Sequence, residues 1–588
     1  MDSLNLLWHM HQPFYYYKSK IYLPWVFLHA IKDYYDMANI ASKYNVKVSF
    51  NLTPSLLLQL DEIDENKDYF LSLLLKKNLE NNEKEYVLNI IKSVYVETMV
   101  KPYKKFYFLF NKNNLTQKDF NDLEVFYLLS WCGEELKKRR FIQNYLNKES
   151  FTYEEKEELI FYLLEFVKGI IPFYKILQDI GKIQITTSPF SHPILPLLFN
   201  MENAKKANPK VVLPKIYFPL KDDAFMHIKK AKEIYKKFFG FYPKAFWPAE
   251  GGISEEVIDA FRDEGINITF SGDDVLKKVE SDIYSPYEYN GVKLFFRDRY
   301  LSDLIGFNYK YFEVDDAVNH FKREIDNRPG NITVILDGEN AWEYYKNPYQ
   351  FLHKFYEMLE SKNTKFFDEV ESVKKLNKII PGSWINGDFN TWVGDEEKNR
   401  AWEMLFLSKK EITDDENYLY VEGSDWFWWY GRGHESVQNE IYDEIFRNYL
   451  MDVFKKHKKK IPAFLVIKNF HKKTYFVPQK FILTPRIDGK TNFFEWVGAG
   501  EIKENFGALA GNIPKIYYAI DEKNLYLRID DSKYEFREFK NVKGEIVEAV
   551  GERREFLRFT LKGENFEMIL PSEIIKLELN EIYKNWFV

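Results

Sequence analysis

A single cysteine, Cys132, in 588 residues excludes any intrachain disulfide and suits a reducing compartment. No stretch of about 18 consecutive apolar residues is present, so nothing reads as a membrane-spanning helix. The N-terminal residues Met1 to Trp8 lack the basic and long apolar segments of a secretory signal. A motif that reads as functional begins by residue 9, and cleavage there would destroy it. Charge bias is also missing: 83 Lys and Arg stand against 89 Asp and Glu, a net charge of -6, which gives no electrostatic ground for a nucleic-acid or membrane partner. There is no glycine-rich phosphate loop, no CxxC zinc pattern, no serine nucleophile elbow, no internal repeat and no low-complexity tract. The expectation is a soluble cytoplasmic protein without a nucleotide cofactor.

Aromatic residues, by contrast, are abundant at 18%, with 13 Trp and 41 Tyr. Sugar faces stack on such rings, although many of them belong to a core. The length exceeds what one hydrophobic core supports, so a large domain with smaller companions is expected. Seven short apolar runs each end in a polar, Gly or Pro cluster: Leu4 to Trp8, Val46 to Phe50, Ile183 to Thr187, Ala245 to Trp247, Asn267 to Phe270, Lys293 to Phe296 and Ile332 to Leu336. Helical periodicity separates most of them. The economical reading is an α/β protein, an incomplete (β/α)7 barrel over residues 1–346 with functional residues at the strand C-termini. About 55–180 is too long for one crossover and reads as a helical insertion. Residues 347–460 read as a helical subdomain contributing to the cleft, interrupted by Trp- and Gly-rich loops at Pro381 to Gly394 and Gly423 to Gly433. Beyond 461 the periodicity switches to two, indicating a β-rich C-terminal domain.

Several motifs sit at the strand ends. In His9-Met10-His11-Gln12-Pro13, alternation puts both imidazoles on one side, where they could hold sugar hydroxyls, bind a metal or simply pack. Two prolines fix the backbone around His192 in Ser188 to Pro193. Trp247-Pro248-Ala249-Glu250-Gly251-Gly252 puts a carboxylate and an indole on a turn before a helix that starts near Ser254. Asp337, Glu339 and Glu343 crowd three acids into seven positions beside Trp342, and crowded carboxyls raise one another's pKa. That crowd fits an acid catalyst or a divalent-cation site. Trp384, Asp388 and Trp392 lie in a loop with the composition of a carbohydrate cleft wall, while Asp425 to Tyr430 reads mainly as core packing.

Together these segments resemble glycoside hydrolase family 57, whose five short regions occur here in order: His11-Gln12-Pro13, Gly181 to Leu197, Trp247 to Gly252, Leu336 to Glu339 and Ser383 to Trp402. Glu422 to Tyr430 also looks like the helical region of its α-amylase-like members, so the likeness spans about residues 1–450. The resemblance implies retention of anomeric configuration, with Glu250 as nucleophile and Asp337 as acid/base. It implies that His11, His192, Trp247, Glu339 and Trp384 shape the subsite for the cleaved sugar. No catalytic metal or other cofactor is implied. Pro485 to Gly489 and Phe494 to Trp496 are similar to a β-sandwich appended to amylase and amylopullulanase members.

The resulting expectation is an α-amylase-type enzyme acting on starch- or glycogen-like α-glucans. Glu250 and Asp337 are its catalytic pair, and His9, His11, Gln12, His192, Trp247, Glu339, Trp342, Trp384, Asp388 and Trp392 bind substrate. A 4-α-glucanotransferase or amylopullulanase is the alternative within the family. A metal-dependent hydrolase or deacetylase using His9, His11 and His192, or a non-catalytic glucan-binding protein, is the alternative outside it.

Overall fold

The computed structural model describes residues 1–339, 342–431 and 439–469, together with strand and turn segments between 476 and 570. Two compact units emerge. The first comprises 1–394, 398–427 and 444–467; the second comprises 395–397, 428–443 and 468–588.

The first unit is mixed α/β with parallel sheets. Its parallel strands are β1 (Ser3–Met10), β2 (Val48–Leu52), β3 (Ile183–Thr186), β4 (Ala245–Phe246), β5 (Ile268–Gly272), β6 (Val292–Arg297) and β7 (Asn331–Asp337). Each expected apolar run became one of these strands, with ends displaced by a residue or two. The order β7-β1-β2-β3 forms one arc and β4-β5-β6 the other. The arcs meet where Trp247 N donates to Thr187 O at 2.8 Å and where Asp298 N donates to Thr333 O at 2.8 Å. The seven strands therefore run in cyclic order. All eight residues of β1 are buried, as strands covered on both faces require.

Register explains what points inward. Leu7, Ala245, Phe270, Phe295 and Ile335 pack in one cluster inside the ring, plugged by Phe367. Side chains two positions further along a strand share the same face. His9, Trp247, Arg297 and Asp337 thus stand directly above that core, at the C-terminal rim. The parallel ladder aligns His9 with Asp337 on one side and with Asn51 on the other.

The segment after β2 is helical, from Pro54–Glu62 to Ile170–Asp179, as its spacing indicated. Thr53 caps the first of these helices by accepting from Leu56 N, with Pro54 in the first turn. Inside the insertion Lys156 Nζ lies 2.6 Å from Glu124 Oε2, and both side chains are buried. Burial pushes the Glu124 carboxyl up to about 7 even beside that ammonium. Lys156→Met should therefore cost about 3 to 5 kcal/mol, seen as a lower unfolding midpoint, while Glu124→Leu with Lys156→Met should recover most of it. Equal stability of the single and double variants would contradict this.

One expected loop is not a loop: Ser424–Trp429, within the Gly423 to Gly433 segment, is helical. Its aromatic residues drive the change, because a helical turn lets Trp426 and Phe427 both reach the core. Residues 432–438 lie outside the described residues. No described helix is long and apolar enough to cross a membrane.

The second unit contains a six-stranded antiparallel sheet in which Ile516–Ile520 and Asn524–Ile529 pair centrally. Leu557–Thr560 and Glu567–Leu570 form a separate two-stranded ladder. Buried Glu548 accepts from the backbone N–H groups of Asp488 and Gly489 at 2.9 and 2.8 Å and from Trp496 Nε1 at 2.8 Å. It ties together the two segments whose composition stood out in the sequence.

Candidate active site

Two non-glycine residues at the rim adopt left-handed backbone. Glu250, just after β4, has φ 56° and ψ 28°, and His192, in the loop after β3, has φ 60°. Such a conformation costs roughly 1 to 2 kcal/mol and persists only where its surroundings impose it. At Glu250 the constraint comes from Trp384, whose backbone N donates to Glu250 O at 3.0 Å. That segment can approach because Gly272 ends β5: a Cβ there would sit 2.7 Å from Trp384 Cα. His192 is held by its own N donating to Pro189 O at 2.9 Å and by Ser424 N donating to His192 O at 2.8 Å.

The Trp384 indole N–H donates to Glu250 Oε2 at 2.9 Å, and the Arg297 guanidinium lies 4.6 Å above the same indole ring. His192 Nδ1 is 3.9 Å from Glu250 Oε1. Burial, then the charge of Asp337, then that of Asp425 push the Glu250 carboxyl up to about 8, partly offset by the Trp384 hydrogen bond. Glu250 and Asp337 thus feel each other across the mouth.

Glu339 lies deeper. Its Oε1 accepts from His11 N at 3.0 Å, Tyr34 Oη at 3.3 Å and Gln12 Nε2 at 3.4 Å. Burial and then Asp337 hold its carboxyl well above the usual carboxylate range. His9 and His192 are pushed the other way, His9 to about 3, chiefly by burial and next by His11. Both imidazoles are therefore neutral hydrogen-bonding groups. Asn51 Nδ2 donates to Thr186 Oγ1, which leaves Asn51 Oδ1 to accept from His9 Nδ1 at 2.8 Å. His9 Nε2 is then an acceptor.

The three imidazoles stack, with ring centroids 4.0 Å apart for His11 and His192 and 5.0 Å apart for His9 and His192. His11 Nε2 reaches Asp425 Oδ2 at 3.0 Å, and its Nδ1 faces Thr53 Oγ1 at 3.2 Å. Three buried polar atoms of this mouth, His192 Nε2, Trp247 Nε1 and Glu339 Oε2, have no hydrogen-bond partner among the described residues. A native protein tolerates such a cluster where a polar ligand completes it.

Most of the expected residues converge here: Glu250, Asp337, His9, His11, Gln12, His192, Trp247, Glu339 and Trp384. Three take other places. Trp342 is buried, donates through Nε1 to Gly338 O at 2.5 Å and packs edge-on to Trp8 at 5.7 Å. It wedges the loop after β7 against the barrel wall instead of offering a ring to the cleft. Trp392 is likewise buried, its carbonyl accepting from Trp402 Nε1 at 3.0 Å. Asp388 folds onto its own loop, accepting from Asn390 N and Nδ2, both at 2.9 Å. Asp425, Ser424, Asn51 and Arg297 belong to the site and were not singled out from the sequence. The signal for Asn51 and Arg297 was position, each directly following the C-terminal end of an apolar run. Asp425 was hidden in an aromatic run.

Among the described residues, two clusters have ligand atoms all within 4.8 Å of one another, close enough for a divalent ion: His11, His192 and Asp425 at the mouth, and His29, Asp33 and Glu343. In the second, Lys32 Nζ already stands 3.6 Å from Asp33 Oδ1 and supplies positive charge.

A cyclic parallel barrel whose rim presents two carboxyls among imidazoles and indoles has the parts that a glycoside hydrolase needs. The model of glycosyl hydrolase family 57 matches residues 5–379, and the chain belongs to that family. No curated protein matches the sequence. The fold is similar to that of a GH57 branching enzyme from the archaeon Thermococcus kodakaraensis, at 15% identity over 79% of this chain and 93% of that one, with TM-score 0.49. An alpha-amylase from Thermotoga maritima aligns at 16% identity over 79% and 95%, TM-score 0.46, and a 4-alpha-glucanotransferase from Thermococcus litoralis at 13% over 90% and 65%, TM-score 0.45.

Proposed function

We propose that this glycoside hydrolase cleaves α-1,4-glucosidic bonds of starch- or glycogen-type α-glucans by double displacement. Glu250 is the nucleophile and Asp337 the general acid/base. The observation that carries the assignment is the strained Glu250 turn, whose carboxyl is raised by burial and then by the charge of Asp337. Mutual repulsion leaves one proton on the pair. The Trp384 hydrogen bond to Glu250 Oε2 opposes that rise and favours the charged nucleophile that double displacement requires. Asp337 then protonates the glycosidic oxygen as Glu250 attacks the anomeric carbon, and the bond to the leaving sugar breaks. Water, deprotonated by Asp337, opens the glycosyl-enzyme. Retention calls for carboxyl groups roughly 5 to 5.5 Å apart. The unpartnered atoms of His192, Trp247 and Glu339 suit a polyhydroxylated ring, which both donates and accepts.

Incubation with amylose, pullulan and maltoheptaose tests this. Short maltooligosaccharides released from amylose as α-anomers support it. Cleavage confined to the α-1,6 links of pullulan, or accumulation of longer chains, would reassign the enzyme to debranching or to 4-α-glucan transfer. β-Anomeric products would overturn retention.

A second reading, a metal-assisted hydrolase, is favoured by the His11, His192 and Asp425 cluster. EDTA is the discriminant. Activity should survive exhaustive chelation and gain nothing from added zinc; loss on chelation with zinc-specific recovery would replace the double-displacement reading.

A further inference from the structure

Beyond the cleavage site, the rim carries exposed tyrosines that no step above uses. The segment after β6 continues as short helical turns, Arg299–Asp303, Leu304–Asn308 and Tyr309–Tyr311. In the loop after β7, Trp342 to Tyr345 are described. Tyr345 Oη donates to Ile305 O at 2.6 Å and fastens the two segments together. The helical insertion joins them where Thr98 Oγ1 donates to Glu343 O. On this three-part ledge Tyr311 is 61% and Tyr344 40% exposed. The Lys310 ammonium stands 5.0 Å from the Tyr311 ring centre and 4.8 Å from that of Tyr344, so one cation ties both rings into a single patch. Tyr95, from the insertion, backs Tyr344 at 5.0 Å. Nearby Phe307 is 41% exposed.

We propose that Tyr311 and Tyr344, with Lys310 between them, form a distal subsite for the glucan chain, a few glucose units from the bond being cut. Both rings lie on loops that leave the C-terminal ends of adjacent barrel strands, the side that carries Glu250 and Asp337. Tyr344 is seven positions beyond Asp337 in the same loop. A pyranose offers an apolar face of C–H groups and an edge of hydroxyls. A tyrosine ring takes the first and an ammonium takes the second. A lysine at the centre of the patch matches a hydroxyl-rich chain better than the centre of a protein interface, which is depleted of lysine. The inference deepens the α-glucan reading and rests on it.

The test compares the full-length enzyme with its Tyr311→Ala/Tyr344→Ala variant on amylose and on α-maltosyl fluoride, a short activated substrate that spans only the cleavage subsites. The KM for amylose is expected to rise about tenfold, with kcat and the kcat/KM for the fluoride unchanged within about twofold. The Tyr311→Phe/Tyr344→Phe pair should keep the amylose KM, because the ring face does the binding. Unchanged amylose kinetics in the alanine pair would overturn the subsite, and so would equal losses on both substrates, which would place the rings in the cleavage site or in the fold. A wild-type enzyme inert toward amylose and fluoride alike would instead remove the α-glucan reading itself.

Discussion

Glu250→Gly is expected to abolish turnover while making the protein more stable. Removing the attacking carboxylate should lower kcat on the order of 10⁵-fold, the scale seen when a covalent nucleophile is deleted. The same change releases a left-handed backbone, since glycine adopts φ 56° without steric cost. It also deletes a half-buried carboxyl that Asp337 and Asp425 repel. The two gains together should amount to about 1 to 2 kcal/mol, read as a higher Tm by calorimetry. Glu250→Gln separates the contributions: it should lose turnover equally but keep the strained backbone, and so gain less. With an activated glycosyl fluoride, azide should rescue the glycine variant and give a glycosyl azide of inverted configuration. Residual hydrolysis above about 1% of wild type would mean that the nucleophile lies elsewhere.

Asp337→Asn carries the second largest effect. Natural glucans have poor leaving groups, so loss of the general acid should cut kcat/KM by about 10² to 10⁴. An activated fluoride needs no proton in the first step and should be far less affected. The variant also tests the coupling between the two carboxyls. A negative neighbour makes ionisation harder; removing it must lower the pKa of Glu250 from about 8 toward the ordinary carboxylate range. Burial, the larger cause, remains and keeps it above 4.5. The acid limb of the pH–rate profile for fluoride hydrolysis should therefore move to lower pH. A limb that stays in place would mean that the two groups do not sense each other.

The parts legible in the sequence were those set by local pattern. Seven apolar runs ending in polar clusters became seven parallel strands, because strand burial and a two-residue period write themselves into consecutive positions. Period two also placed His9 and His11 on one side, and they stack 5.7 Å apart. What escaped was set by distance along the chain. Asp425 reaches His11 across 414 positions, and nothing in Asp425 to Tyr430 marks the acid as facing the mouth while Trp426 and Phe427 turn to the core. Tryptophan content overstated the cleft for the same reason, since Trp342 and Trp392 serve packing and Trp384 serves the carboxyl. The left-handed turns at His192 and Glu250 follow from Ser424 and Trp384 closing over them, a constraint that no local signal encodes.

The barrel's two arcs give its chemistry a built-in gauge. Glu250 follows β4 on one arc and Asp337 ends β7 on the other. A path between them along the wall, in either direction, crosses one of the seams at Thr187 with Trp247 or at Asp298 with Thr333. Retaining hydrolases hold their carboxyls roughly 5 to 5.5 Å apart and inverting ones about 6.5 to 9.5 Å. The spacing that selects between the two routes is therefore held across those seams and not within either arc.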